Sequence, residues 1–173
     1  PVAWLWLLHQ AAIYLRRRGD YRQALLLHDQ ALAGRRQVLG EEHPDTLASM
    51  STLAVTRRVV GDLRGARELH EQTLTARRRV LGDDHPATLV SMNNLAVTLR
   101  NLGDLQGARE LFEQTLTARQ RILGDDHPDT LWSMQSLAVV RRALGDLRGA
   151  RELNEHALTT RRGPGRRASG HPL

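Results

Sequence analysis

The sequence predicts an all-α protein, a solenoid of about four antiparallel helix pairs. Recurrence is the first observation: LGEEHPDTL begins at Leu39, LGDDHPATL at Leu81 and LGDDHPDTL at Leu123, a strict 42-residue step. Residues 40–81 and 82–123 share 29 of 42 aligned positions, far more than compositional bias produces, so the chain is an array of one unit. Composition is the second. Hydrophobic residues make up 40% of the 173 positions but aromatics only 3%, so the core must come from Leu, Ala and Val, of which Leu and Ala are strong helix formers. The third is punctuation, a Gly-Asp pair near the middle of every repeat: Gly19-Asp20, Gly61-Asp62, Gly103-Asp104 and Gly145-Asp146. Glycine tolerates the positive φ that ends one helix, and aspartate accepts the free N–H groups that open the next.

Taken in order, the repeats run 3–39, 40–81, 82–123 and 124–162, each divided by its Gly-Asp turn into a first and a second helix. In the third repeat, the first half places Leu89, Met92, Leu95, Ala96, Leu99 and Leu102 on one stripe at spacings of three and four. Leu105, Ala108, Leu111, Phe112, Leu116 and Ile122 form the matching stripe of the second half. One helix pair cannot bury such stripes alone, and stacked pairs can, which makes residues 1–162 one repeat domain. The tail from Gly163, GPGRRASGHPL, departs from the repeat and has little to bury, so it is expected to be disordered and basic.

The LGDDHPDTL stretch is also the most chemical in the chain, with Asp125, Asp126, His127 and Asp129 inside five positions. Its recurrence argues against a metal. Equivalent residues of stacked helices lie on the order of 10 Å apart, whereas zinc ligands sit at about 2 Å, and one loop supplies a single imidazole. Punctuation accounts for the letters instead. Glycine closes a helix, proline takes the first turn where its missing N–H costs nothing, and Asp or Thr complements the helix dipole. No cysteine is present, which excludes disulfides, thiolate nucleophiles and cysteine-bound zinc. Ser49, Ser91 and Ser133 are repeat residues inside a helix rather than nucleophiles. Neither catalytic residues, cofactor nor metal is expected. The apolar run from Val2 ends at His9, short of the roughly 18 residues of a membrane span, and has no leader character, so a cytoplasmic protein is expected.

The net charge of +6 is carried by arginine, lysine being absent. Arg35-Arg36, Arg77 to Arg79, Arg119, Arg121 and Arg161-Arg162 close the second helices and are expected to be solvated charge complementing the dipole. A second set, Arg16, Arg58, Arg100 and Arg142, recurs on the first helices at the 42-residue step, on a face shared with Val90, Asn93, Asn94 and Val97. Trp6 and Trp132 fall at corresponding positions of that face, with Gln135 one turn on, and Trp4 is expected to cover the end of the array or to pack on a preceding domain.

These marks resemble the tetratricopeptide repeat in its 42-residue, kinesin-light-chain-like form. The resemblance rests on Leu53-Ala54, Leu95-Ala96 and Leu137-Ala138, on the turn glycines, and on Ala24, Ala66, Ala108 and Ala150 where the paired helices touch. Departures are His28, His70 and Asn154 where Phe112 keeps the family's bulky residue, and Arg57 and Arg141 at the position held by Leu15 and Leu99. WLWLLHQAAIYLRRRGDY further resembles the first repeat of arrays carried C-terminally by bacterial STAND (NB-ARC) signalling ATPases. The resemblance implies a right-handed solenoid and a concave groove that binds peptides. Arg16, Arg58, Arg100, Arg142, Asn93, Asn94, Val97, Trp132 and Gln135 would line that groove, and a protein or peptide partner, acidic in character, would fill it. Nucleic acid is the competing partner for the basic surface, against which stand the few aromatics available for stacking. Self-association through the repeat ends is the third reading.

Overall fold

A computed structural model describes residues 2–162, and among these there are eight α-helices and no strand. In order they are α1 (Val2–Arg17), α2 (Tyr21–Leu39), α3 (Pro44–Val59), α4 (Leu63–Leu81), α5 (Pro86–Leu102), α6 (Leu105–Leu123), α7 (Pro128–Ala143) and α8 (Leu147–Arg162). The tail from Gly163 lies outside the described residues. The chain divides into two compact units, one ending at Leu102 and holding α1 to α5, the other beginning at Gly103 and holding α6 to α8.

Both expected punctuation marks are in place. Each Gly-Asp turn has its glycine at a φ of +85° to +89°, a region where a Cβ is strained. Asp20, Asp62, Asp104 and Asp146 then accept from the backbone N–H of Gln23, Gly65, Gly107 and Gly149. The His-Pro sequence does more than was expected of it. His43 and His127 are themselves the N-cap residues of α3 and α7, their Nδ1 accepting from the N–H of Asp45 and Asp129, with proline in the first turn behind them. The histidine ring nitrogen thus serves as the capping acceptor. His127→Ala should cost about 1 kcal/mol, and His127→Asn should restore most of it, as read from urea midpoints. The neighbouring threonine needs a correction. Thr46, Thr88 and Thr130 are fully buried packing residues, so they do not serve the helix dipole.

In the first unit, α1 packs on α2, α2 on α3, α3 on α4 and α4 on α5. Leu32 of α2, Leu47, Met50, Leu53 and Ala54 of α3, and Leu69 of α4 form one buried cluster. Ala24 and Ala66 are fully buried, so a residue no larger than Ala fits there. Gly34 has a similar cause: a Cβ there would strike the Leu5 side chain of α1. In the second unit, α6 packs on α7 and α7 on α8, with Phe112, Met134, Leu137 and Val140 in the interior. Two stripe residues read as core, Leu102 and Ile122, are exposed at helix ends.

The two arginines that replace leucine are accommodated by ion pairing. Arg57 reaches Asp29 at 3.7 Å and the capping Asp62 at 3.9 Å; Arg141 reaches Glu113 at 2.9 Å and Asp146 at 3.9 Å. A Cβ at Gly65 or Gly149 would collide with both the capping carboxylate and the arginine, so each glycine keeps that arrangement open.

Candidate functional site

Three of the column arginines lie in the first unit, on the first helices α1, α3 and α5, which follow one another across that face. Arg16, Arg58 and Arg100 are each half-buried near the C-terminal end of their helix. No carboxylate lies within ion-pairing distance of any of them among the described residues. They are close enough to feel one another. Burial first, then repulsion from Arg100 and Arg16, lowers the affinity of Arg58 for its proton below the ordinary arginine value. Like charges gathered at a partly desolvated surface favour whatever anion neutralises them.

The neighbouring positions are less uniform than the sequence suggested. Asn94 is half-buried and its Nδ2 donates to Ser51 Oγ at 3.4 Å, tying α5 to α3. Val97 is half-buried and Val90 exposed, as a contact surface requires. Asn93 corrects the sequence reading. It is buried, with its Oδ1 unpartnered, so it contributes to the wall rather than to an open face.

The remaining predicted site residues belong to the second unit. Arg142 is exposed on α7. Trp132 and Gln135 are exposed in the first turns of the same helix, and the Trp132 ring meets Phe112 edge to face at 6.4 Å. Both line an open groove of about 1000 Å³ between α7 and α8. Trp4 and Trp6 of α1 are both exposed.

Sequence reasoning misplaced one set of arginines. Arg35, Arg77 and Arg119 are 4%, 8% and 5% exposed, not solvated. Each donates through Nη1 to a backbone carbonyl in the first turn of the next helix, that of Asp45, Ala87 or Asp129, and to the hydroxyl of Ser49, Ser91 or Ser133. Desolvation lowers the pKa of Arg77 and Arg119 accordingly. The available signal was the invariant 14-residue Arg-to-Ser spacing, three times over. The serines have their role here, as acceptors for the buried guanidinium.

His28 and His70 were the second omission. They fill the bulky-residue position at 0% and 1% exposure, and neither ring nitrogen of either finds a hydrogen-bond partner. Burial foremost, with His9 and Arg16 around His28 and Arg58 and Arg77 around His70, lowers both pKa values to about 4. They are therefore neutral at pH 7. The His9 ring stands edge to face with His28 at 5.8 Å.

The comparison with known proteins agrees with this anatomy. A family model described as tetratricopeptide repeat matches residues 2–76, 52–120 and 92–163. No curated protein matches the sequence. Among solved structures, the chain is similar to the nearly identical TPR-like repeats of a kinesin light chain candidate from Podosopora anserina, at 31% identity and a TM-score of 0.87, covering 99% of this chain and 81% of that one. A glutamine-to-methionine variant of that protein gives the same identity and TM-score over 95% and 78%. BtubC, also designated BKLC, from P. vanneervenii shares the fold at 23% identity and a TM-score of 0.85, over 98% and 69%. The all-α solenoid class predicted from the 42-residue step is the class of these structures. Since the family model matches overlapping stretches from α1 through α8, the chain belongs to the tetratricopeptide repeat family, in a form similar to kinesin-light-chain-like repeats.

Proposed function

We propose that residues 1–162 act as one protein-binding scaffold, without chemistry of its own, that takes up an extended acidic segment along the first-helix face. The observation that carries this reading is the cluster of Arg16, Arg58 and Arg100, half-buried, without carboxylate partners among the described residues and mutually repelling. Folding keeps that repulsion, and an acidic ligand relieves it. Heads spaced about 10 Å apart, near the Debye length of about 8 Å, still sum their field over the approach path. Asn94 offers a side-chain amide to the ligand backbone, and Val55, Val90 and Val97 supply apolar contact. In the second unit Arg142, Trp132, Gln135 and Val139 present the same chemistry, charge with an aromatic anchor. We further propose, from the WLWLLHQAAIYLRRRGDY similarity, that such an array serves as the sensor region of a cytoplasmic signalling ATPase.

Arg58→Glu combined with Arg100→Glu is expected to abolish capture of an acidic peptide, a loss of at least tenfold in affinity, while helicity by circular dichroism stays at the parent value. Unchanged capture contradicts the reading. Nucleic acid is separated from peptide in the same assay by adding random duplex at two salt concentrations. A steep fall in duplex binding with salt, with no peptide binding at either, assigns the surface to phosphate backbones instead.

A further inference from the structure

Two rows of side chains rule the first-helix face of the first unit. Arg16, Arg58 and Arg100 form one of them at the 42-residue step. Three positions before each arginine stands an aliphatic residue, Ile13, Val55 or Val97, and these form the other. All six residues are half-buried, backed by packing and open on one side. Residues three apart on a helix are neighbours, with Cβ atoms about 5 to 6 Å apart. The rows therefore run side by side as a narrow strip, basic along one edge and apolar along the other.

Helix packing sets the step along that strip. Helix α1 touches α3 and α3 touches α5, and packed helix axes lie about 8 to 10 Å apart. The arginine heads agree with a short step, since Arg100 and Arg16 both act on Arg58 across it. A ligand that meets all three must repeat at the same interval. A β-strand does not, because its same-side chains recur at about 6.7 Å and then at about 13 Å. Polyproline II does. It has three residues per turn and rises about 3.1 Å per residue, so every third side chain points the same way at about 9.3 Å. An α-helix also returns to one face after seven residues, about 10.5 Å, but its body is about 10 to 12 Å wide, broader than the strip. Backbone chemistry separates the two extended forms further. The N–H and C=O groups of α1, α3 and α5 are engaged within their own helices, so a bound strand finds no ladder there, whereas polyproline II keeps its backbone groups in water.

We propose, resting on the reading of this face as the acceptor of an acidic segment, that the segment lies in the polyproline II conformation with an acidic side chain at every third position. Three successive acidic groups meet Arg16, Arg58 and Arg100, and the apolar residue beside each meets Ile13, Val55 and Val97. The third edge of the ligand faces solvent and accepts proline, whose fixed φ leaves less conformational entropy to lose on binding.

The test titrates the full chain, by calorimetry at low salt, with peptides that each contain three glutamates, three leucines and three prolines. Three repeats of Glu-Leu-Pro, and three of Leu-Glu-Pro for the other order of the two contact edges, keep the three-residue register. A peptide of the same composition with its glutamates in a row does not. One of the registered peptides is expected to bind about fivefold tighter than the run, which leaves half-buried cations unpaired. Replacing its central glutamate by glutamine should weaken binding to the parent chain by about threefold and leave binding to the Arg58→Ala chain unchanged, while replacing an outer glutamate should weaken both. Equal affinity of registered and unregistered peptides, or a central replacement that acts equally on both chains, overturns the register and leaves the acid-binding reading standing. Binding by none of the peptides overturns both. A helical peptide with glutamates seven residues apart that binds tighter than the registered ones would give the face to a helix instead.

Discussion

Acidification from pH 7.5 to pH 4.5 is expected to remove on the order of 5 kcal/mol of stability through His28 and His70 alone. In the unfolded chain an imidazole titrates near 6.5, and in the folded one burial holds both at about 4. Above about pH 6.5 the two states bind equal protons and stability is at its full value. Between there and about pH 4 the unfolded state binds more, so stability falls with pH, by roughly 2 to 3 kcal/mol per histidine. The cause is geometric. Both rings are sealed in the packing with their nitrogens unpartnered, and the charged groups that act on them are cationic, Arg16 for His28 and Arg58 and Arg77 for His70, so a proton meets neither solvent nor counter-charge. Phe112 shows what the position tolerates when it cannot titrate. The double variant His28→Phe and His70→Phe should lose about 5 kcal/mol less than the parent over the same interval, carboxylate titration being common to both. Urea unfolding at the two pH values measures this, and parallel losses in the two proteins would contradict it.

Arg77→Ala is expected to destabilise the protein by about 2 to 3 kcal/mol, while Arg161→Ala changes stability by less than about 0.5 kcal/mol. The two residues occupy the same repeat position. Arg77 buries its stem between α4 and α5 and donates at 3.0 Å to the Ala87 carbonyl and at 2.8 Å to Ser91 Oγ; Arg161 is exposed. Truncation at 77 therefore loses two charge-assisted hydrogen bonds and leaves a cavity, and truncation at 161 loses neither. Arg77→Met separates the contributions, since it restores most of the packed volume without the donors. Equal stability of Arg77→Ala and Arg161→Ala in guanidinium unfolding would show that the buried contacts carry no net free energy.

Helices and turns were legible because their signals are local. A glycine at positive φ and an aspartate cap read the same in every repeat, and one helix's apolar stripe needs no knowledge of its neighbours. What the sequence concealed depends on which helix lies against which. Arg35, Arg77 and Arg119 carry the appearance of ordinary cations at a helix end, and only the serine 14 residues on, in another helix, shows them to be buried donors. His28 and His70 stood out as departures from a bulky residue, but their neutrality follows from closure by surrounding helices. Asn93 shared a helical face with Asn94, and a shift of one residue around the helix was enough to bury the first and leave the second accessible at the Ser51 contact. Of the arginine column, the 42-residue step placed Arg16, Arg58 and Arg100 on successive first helices of one unit. It could not tell that Trp132 would lean on Phe112 and face the α7–α8 groove.

The central claim, that the first-helix face of α1, α3 and α5 receives an acidic extended segment, is tested most directly by nuclear magnetic resonance titration with a short peptide of alternating glutamate and apolar residues. Saturating shifts should appear at the Nε groups of Arg16, Arg58 and Arg100, the Asn94 side-chain amide and the Val97 methyls, weakening as salt rises. A lysine-for-glutamate peptide should leave these resonances unmoved. Shifts confined to other surfaces, or equal shifts with both peptides, would contradict the account.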